Sequence, residues 1–212
     1  VLLGLAGATI LFNTYSRVGG FILLAIFVCA LAVRGWYVLT YIEYAAAAVF
    51  FIIGSQREAV QHGGVALRKK FSRFVEAMRP CRFAILRVGF GLSVMLASLY
   101  AKVIYSALAL MVVEKFDLTS YFIFSSFSPD FLVLGAAIIE FLCGLLLVLG
   151  IEVRHTSLFL AFWLTLSLAY FQEMVWPHII LFGLGGAFLL YGYDKYSIEG
   201  RYFKHGDREP AL

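Results

Sequence analysis

The residues of this sequence best placed to do chemistry are ionisable side chains set deep in uncharged runs. The clearest is Glu140, near the middle of FLVLGAAIIEFLCGLLLVLG (131–150), a stretch with no other charge. Lys102 and Arg87 lie near the two ends of the apolar run 83–105, Glu43 lies inside the run 36–54, and Glu173 and His178 flank Pro177. A charge at the centre of a bilayer costs about 2.5–3.5 kcal/mol even on the insertion scale. Such groups therefore turn toward a partner or a cavity. Two chemistries suit them: an ion pair that fixes helix register, or a site for a proton or a quinone headgroup. For Glu140 the expected partner is Lys102 or Arg87 on the preceding helix. His178, next to Pro177 at a helix start, is expected to act as a hydrogen-bonded cap.

The elements that must position these groups are transmembrane helices. Hydrophobic residues make up 62% of the 212, charged residues 14%, and the mean hydropathy is +0.90. An ordinary soluble domain is roughly half apolar and about a quarter charged. Apolar runs at 19–33, 36–54, 83–105, 131–150, 156–171 and 176–193 approach or reach the roughly 20 residues that cross the hydrocarbon core. None alternates as an outer-membrane strand would. The fold class expected is an all-α polytopic membrane bundle of about six full spans. A partial span precedes them: 1–12 is apolar but short, has no basic leader of the kind that marks a signal peptide, and reads as the tail of a helix that begins upstream.

Charge orients the spans. The segment SQREAVQHGGVALRKKFSRFVEAMRPCR carries Arg57, Arg68, Lys69, Lys70, Arg73, Arg79 and Arg82 against Glu58 and Glu76. Basic flanks stay on the cytoplasmic side. Alternation then places Arg17, Arg154, Lys195, Arg201, Lys204 and Arg208 inside as well, and leaves Arg34 and Lys115 outside. Within 57–82, apolar residues recur at helical spacing between the cations. That pattern fits a topology anchor or an interfacial helix on anionic lipid.

LAGATILFNTYSR (5–17) and LCGLLLVLGIEVR (142–154) align Gly7 with Gly144 and Arg17 with Arg154. With slack in the following loop, Trp36 aligns with Trp176. The match suggests an internal duplication, common in membrane folds, with the first copy cut short and its missing helices encoded upstream.

Much of the usual chemistry has no motif here. Cys29, Cys81 and Cys143 lack CxxC spacing. His62, His155, His178 and His205 are scattered over both faces, so no facing pair for haem ligation can be placed. No HExxH, Walker A loop or dinucleotide fingerprint stands in a suitable context. Gly183, Gly185 and Gly186 read as close helix packing.

Residues 83 to about 203 resemble the DoxX family of small four-helix membrane proteins. The resemblance rests on FAILRVGFG with Arg87, SLYAKV with Lys102, IIEFLCGLLLVLGIEVR with Glu140 and Arg154, and the closing YGYDKYSIEG. It implies a four-helix bundle with inward polar residues and an association with quinone-linked redox chemistry, since some relatives are membrane subunits of thiosulfate:quinone oxidoreductase. The chain departs from the family pattern in an aromatic extracytoplasmic insertion, 106–130, suited to docking or to capping its own bundle. The expected organisation is a truncated DoxX-like half (1–56), a basic cytoplasmic linker (57–82), a DoxX-like bundle (83–203) and a polar tail (204–212).

The functional expectation is an accessory subunit of a larger respiratory or quinone-linked complex in a bacterial-type inner membrane, without catalytic chemistry or a bound metal of its own. Its partners would be lipid and other membrane subunits rather than nucleic acid. The alternatives are a quinone-binding redox subunit using Glu140, Lys102 and Arg87, and a small-solute or lipid carrier.

Overall fold

The computed structural model describes residues 16–54, 73–121, 128–171 and 178–203. The partial span 1–12, the basic stretch 57–72, the aromatic residues 122–127, Glu173, Trp176, Pro177 and the tail 204–212 lie outside the described residues. The chain is all-helical over the described residues and divides into two compact units, Val1–Gly89 and Phe90–Leu212. Helices occur at all six expected span positions. Three helical stretches, Ser16–Gly54, Arg73–Ile104 and Pro129–Leu149, are long and apolar enough to cross a membrane, and two shorter apolar helices, Val153–Ala169 and Ile179–Tyr191, accompany them. The protein is a membrane-embedded helical protein.

The first unit is built on a hairpin. Helix α1 (Ser16–Arg34) ends at Arg34, where Gly35 takes φ +68° and a 3₁₀ turn, Gly35–Tyr41, leads into α2 (Ile42–Gly54). Trp36, 83% exposed at this turn, has the amphipathic ring that favours a membrane surface. The hairpin closes because both helices carry small residues where they cross. A methyl added to Gly20 would lie 2.8 Å from the Ala48 carbonyl oxygen, so the backbones themselves are in contact. Lipid tails are as apolar as leucine, and helix pairing in membranes therefore relies on such close packing. Arg17 secures the open end by donating from Nε to the Ile52 carbonyl at 3.2 Å. Helix α3 (Arg82–Ser98) begins in this unit behind a 3₁₀ turn with Pro80 in its first turn, and its first half packs on α2. A methyl on Gly89 would collide with Ala46 Cβ, Phe83 packs edge-on to Phe50 at 5.1 Å, and the Arg82 guanidinium covers both rings.

In the second unit α3 continues past Ser98 as a π-helical turn, Leu99–Ile104. The apolar insertion then forms a helix of its own, α4 (Ser106–Lys115), which packs on α5 (Pro129–Leu149). Helices α3 and α5 meet glycine to glycine: a methyl on either Gly91 or Gly144 would stand 2.6 Å from the other's carbonyl oxygen. Ser128 caps α5, accepting from the Phe131 N–H at 3.3 Å, and Pro129 opens its first turn. Gly150 ends α5 in the left-handed conformation, φ +70°. Its N–H reaches Leu147 O while the Ile151 N–H reaches Leu146 O, the paired bonds that satisfy a helix's last carbonyls. Helix α6 (Val153–Phe171) starts at once, and α7 (Ile179–Tyr191) returns beside it.

Arg154 secures the α6–α7 pair, donating from Nη2 to the Leu190 carbonyl at 3.3 Å. Just beyond, Gly192 turns the chain at φ +75°, ψ −128° with the Arg154 side chain against it. The closing segment folds onto itself: Ser197 Oγ donates to Asp194 O and accepts from Gly200 N, and Glu199 N–H ties it to Gly150 O.

Gly192 is thus a position only glycine fits. Its dihedrals lie outside the range of L side chains, and a Cβ would sit 2.6 Å from Arg154 Nε. Strain of this kind costs on the order of 1–3 kcal/mol. Gly192→Ala is expected to lower stability by about that amount in SDS-titrated unfolding, whereas Gly186→Ala, whose methyl meets nothing within 4 Å, is expected to leave it unchanged.

Candidate functional site at Glu140

Three helices of the second unit converge on Glu140. Lys102 Nζ lies 2.5 Å from Oε2, and Trp163 Nε1 donates to Oε1 at 2.9 Å. Each carboxylate oxygen therefore has a donor of its own, one from the π-helical turn after α3 and one from α6. The Glu140 side chain is 17% exposed and that of Lys102 is 24%.

Helix geometry explains the contact between Lys102 and Glu140. Ser98 Oγ donates to Ala137 O at 2.8 Å, and Gly91 meets Gly144, so α3 and α5 run antiparallel. By level alone, Lys102 would stand opposite residues well before Glu140. Side chains on a helix lean toward its N-terminus. In an antiparallel pair they lean in opposite directions, Lys102 and Glu140 each toward the N-terminus of its own helix, and the two meet between their levels. The π turn adds one residue per turn and resets the angle at which Lys102 leaves the helix; such bulges occur often where a side chain must be aimed.

Trp163 is the member that sequence reasoning missed. It sits mid-span, away from the membrane surface where tryptophan usually gathers, and its indole N–H requires an acceptor when buried. A further signal was available: Glu140 and Trp163 stand the same number of residues from the Ile151–Glu152 turn that joins their helices, so an antiparallel pair puts them at one depth. Phe159 stacks on Trp163 at 6.0 Å and holds the indole in place.

The other candidates fall elsewhere. Of the two expected partners of Glu140, the structure supplies Lys102. Arg87 and Glu43 are each 2% exposed, engaged in interactions, and belong to the first unit. His178 occupies the position before α7, where its side chain makes no capping hydrogen bond to the helix, and it is engaged in an interaction of its own. Arg17 and Arg154 each hold a helix end. Among the described residues no three His, Cys, Asp or Glu side chains gather as a metal site.

Lys102, Glu140 and Trp163 all lie in the part of the chain with a recognisable relative. Residues 83–173 match the family model of DoxX. The DoxX-like region covers less than half of the 212 residues, and takes in most of α3, all of α4, α5 and α6, and none of α7. The polar triad is therefore set wholly within the DoxX-like helices. No curated protein and no solved structure matches the chain.

Proposed function

We propose that this protein is a DoxX-like integral membrane accessory subunit of a larger, quinone-linked respiratory complex, with Glu140 serving as a polar pin between helices. The observation that carries this reading is the two-sided engagement of Glu140: each carboxyl oxygen accepts from a donor of its own chain. A carboxylate so engaged joins α5 to α6 and to the end of α3, fixing register where apolar faces alone would slide. Partners would be lipid, anionic lipid at the basic residues of 57–82, and other membrane subunits. The positive-inside rule supports placing 57–82 and the C-terminal segment on the cytoplasmic side of a bacterial-type inner membrane.

A quinone site is the second reading, favoured by the residual exposure of the Glu140–Lys102 pair and by the aimed π turn beneath Lys102. The Trp163 N–H is committed to Glu140, so a quinone carbonyl would have to take one of the remaining Lys102 protons.

Gentle purification from native membranes, with mass spectrometry of co-purifying chains and extracted quinone, separates the two. The accessory reading expects stoichiometric larger subunits, and their retention by Glu140→Gln. Quinone present in wild type and lost in Glu140→Gln would replace it with the redox reading.

A further inference from the structure

One end of the first unit is rich in arginine. Arg17, at the start of α1, donates to Ile52 O near the end of α2. At the start of α3 the Arg82 guanidinium lies 5.7 Å from the Phe50 ring centroid and 5.1 Å from that of Phe83. Its Nη1 also stands beside Gly54, the last residue of α2, 3.7 Å from where a Cβ would lie. Arg79 opens the 3₁₀ turn that leads into α3, and the Arg82 N–H closes that turn on Arg79 O. Side chains three apart on a 3₁₀ turn eclipse, so Arg79 and Arg82 leave the chain on one side.

The protein satisfies these cations unequally. Arg17 has its carbonyl. Arg79 Nε is buried and has no hydrogen-bond partner. Among the described residues Arg79 makes no ion pair, and the Arg82 side chain engages only the two rings. Glu76, one turn before Arg79, is exposed and bound to neither. A cation at such a place commonly steadies the carbonyl end of a neighbouring helix, and Arg82 beside Gly54 fits that role. Arg79 does not. A guanidinium is always charged and offers five donors. Burying one of its N–H groups without an acceptor is costly, and native proteins rarely keep such a group without an ion or other partner.

The acceptor that suits two arginines side by side is a phosphate, which the planar guanidinium meets with paired, charge-assisted bonds. Position selects the kind. Arg79 and Arg82 precede the apolar run 83–105, within a helical stretch long enough to cross a membrane. The end of such a run meets the headgroup layer, where lipid phosphates lie. The first N–H groups of α3 add partial positive charge at the same end. We infer that Arg79 and Arg82 form a binding site for the phosphodiester of an anionic phospholipid, with Phe50 and Phe83 holding the Arg82 guanidinium in place. It rests on the anionic-lipid reading of 57–82 proposed above and narrows it to two residues, independently of the role of Glu140.

The test uses the full chain in nanodiscs of phosphatidylcholine with a minor share of phosphatidylglycerol, and native mass spectrometry of the lipid it retains. Arg79→Gln and Arg82→Gln are each expected to lower retained phosphatidylglycerol about tenfold or more, the scale of a charged hydrogen bond. Arg73→Gln, an exposed cation of the same stretch, is expected to lower it by roughly fivefold at most, the scale of general surface attraction. Arg79→Lys keeps the charge without the Nε–H and is expected to stay nearer to Arg79→Gln than to wild type. Thermal unfolding in detergent separates binding from folding. Without lipid, Arg79→Gln is expected to unfold no sooner than wild type, because it removes a buried donor that nothing accepts; with phosphatidylglycerol added, it is expected to miss the rise that wild type shows. Equal losses at positions 73 and 79 would leave general lipid attraction standing and remove the site. No preference of wild type for phosphatidylglycerol over phosphatidylcholine would overturn both the site and the lipid reading beneath it. A rise with inorganic phosphate as large as that with phosphatidylglycerol would overturn the lipid as its source. Earlier unfolding of Arg79→Gln, equal with and without lipid, would make Arg79 a packing residue instead.

Discussion

Lys102→Met is expected to lower the stability of the second unit by about 2 kcal/mol, more than Glu140→Gln does, though the two changes break the same contact. The scale follows from exposure. Breaking a fully buried ion pair costs about 3–5 kcal/mol, but Lys102 and Glu140 keep 24% and 17% of their side-chain surface, which brings the contact down to the range of a charged hydrogen bond, about 1.5–3 kcal/mol. The asymmetry follows from position. Without Lys102, Glu140 keeps at mid-span only the Trp163 indole of the two donors that held its carboxyl group. Without the Glu140 carboxyl group, Lys102, in the last turn of its helix, can extend its ammonium along the helix end toward the membrane surface. The amide oxygen that Glu140→Gln introduces still accepts from Trp163. The double variant is expected to recover about 1 kcal/mol relative to the sum of the single changes, as coupled contacts do. SDS-titrated unfolding of all four proteins measures this. Equal losses for the two single variants, or strict additivity, would show that the pair does not act as drawn.

The second large effect is expected at the glycine crossing of α3 and α5. A Cβ on Gly144 would lie 2.6 Å from the Gly91 carbonyl oxygen and 3.0 Å from Met95 N. Both are backbone atoms and cannot swing aside, so the helices themselves must separate. Separation strips van der Waals contact along the whole interface and pulls Ser98 from Ala137 O. Overpacking in a well-fitted core costs about 1–3 kcal/mol where side chains can adjust; here Gly144→Leu is expected to exceed that range and leave most of the purified protein unfolded or aggregated. Gly144→Ala is expected to remain folded with a loss of about 2–3 kcal/mol. A purified Gly144→Leu protein with wild-type unfolding behaviour would mean that the crossing is looser than its geometry.

Much of the architecture follows from local properties of the sequence. Runs of apolar residues long enough for the bilayer located the helices because lipid leaves the backbone no partner but itself, and only helical pairing within a segment answers that need in a chain without strand alternation. The end of the run 131–150 fell at Gly150, where the helix closes in the left-handed dihedrals that only glycine takes cheaply. Arg17 and Arg154 were singled out by the sequence, and each donates to a carbonyl near the end of the helix that follows its own. Glu140 announced itself as a charge in the wrong solvent.

What the tertiary structure decided is which groups meet. The sequence offered Glu140 either Lys102 or Arg87, and only the close approach at Gly91 and Gly144, with the opposite lean of side chains on antiparallel helices, delivers Lys102. Trp163 joined the site because the short turn at Gly150–Glu152 reflects α6 back along α5 at matched depth. That the insertion's helix α4 packs against α5 is likewise a fact of neighbours, although its Ala, Leu and Met residues favour a helix in any setting. Depth and helicity are set by the solvent each residue must satisfy, and that is written residue by residue; partnership depends on the rotation and spacing of whole helices, which glycines remote from the site control.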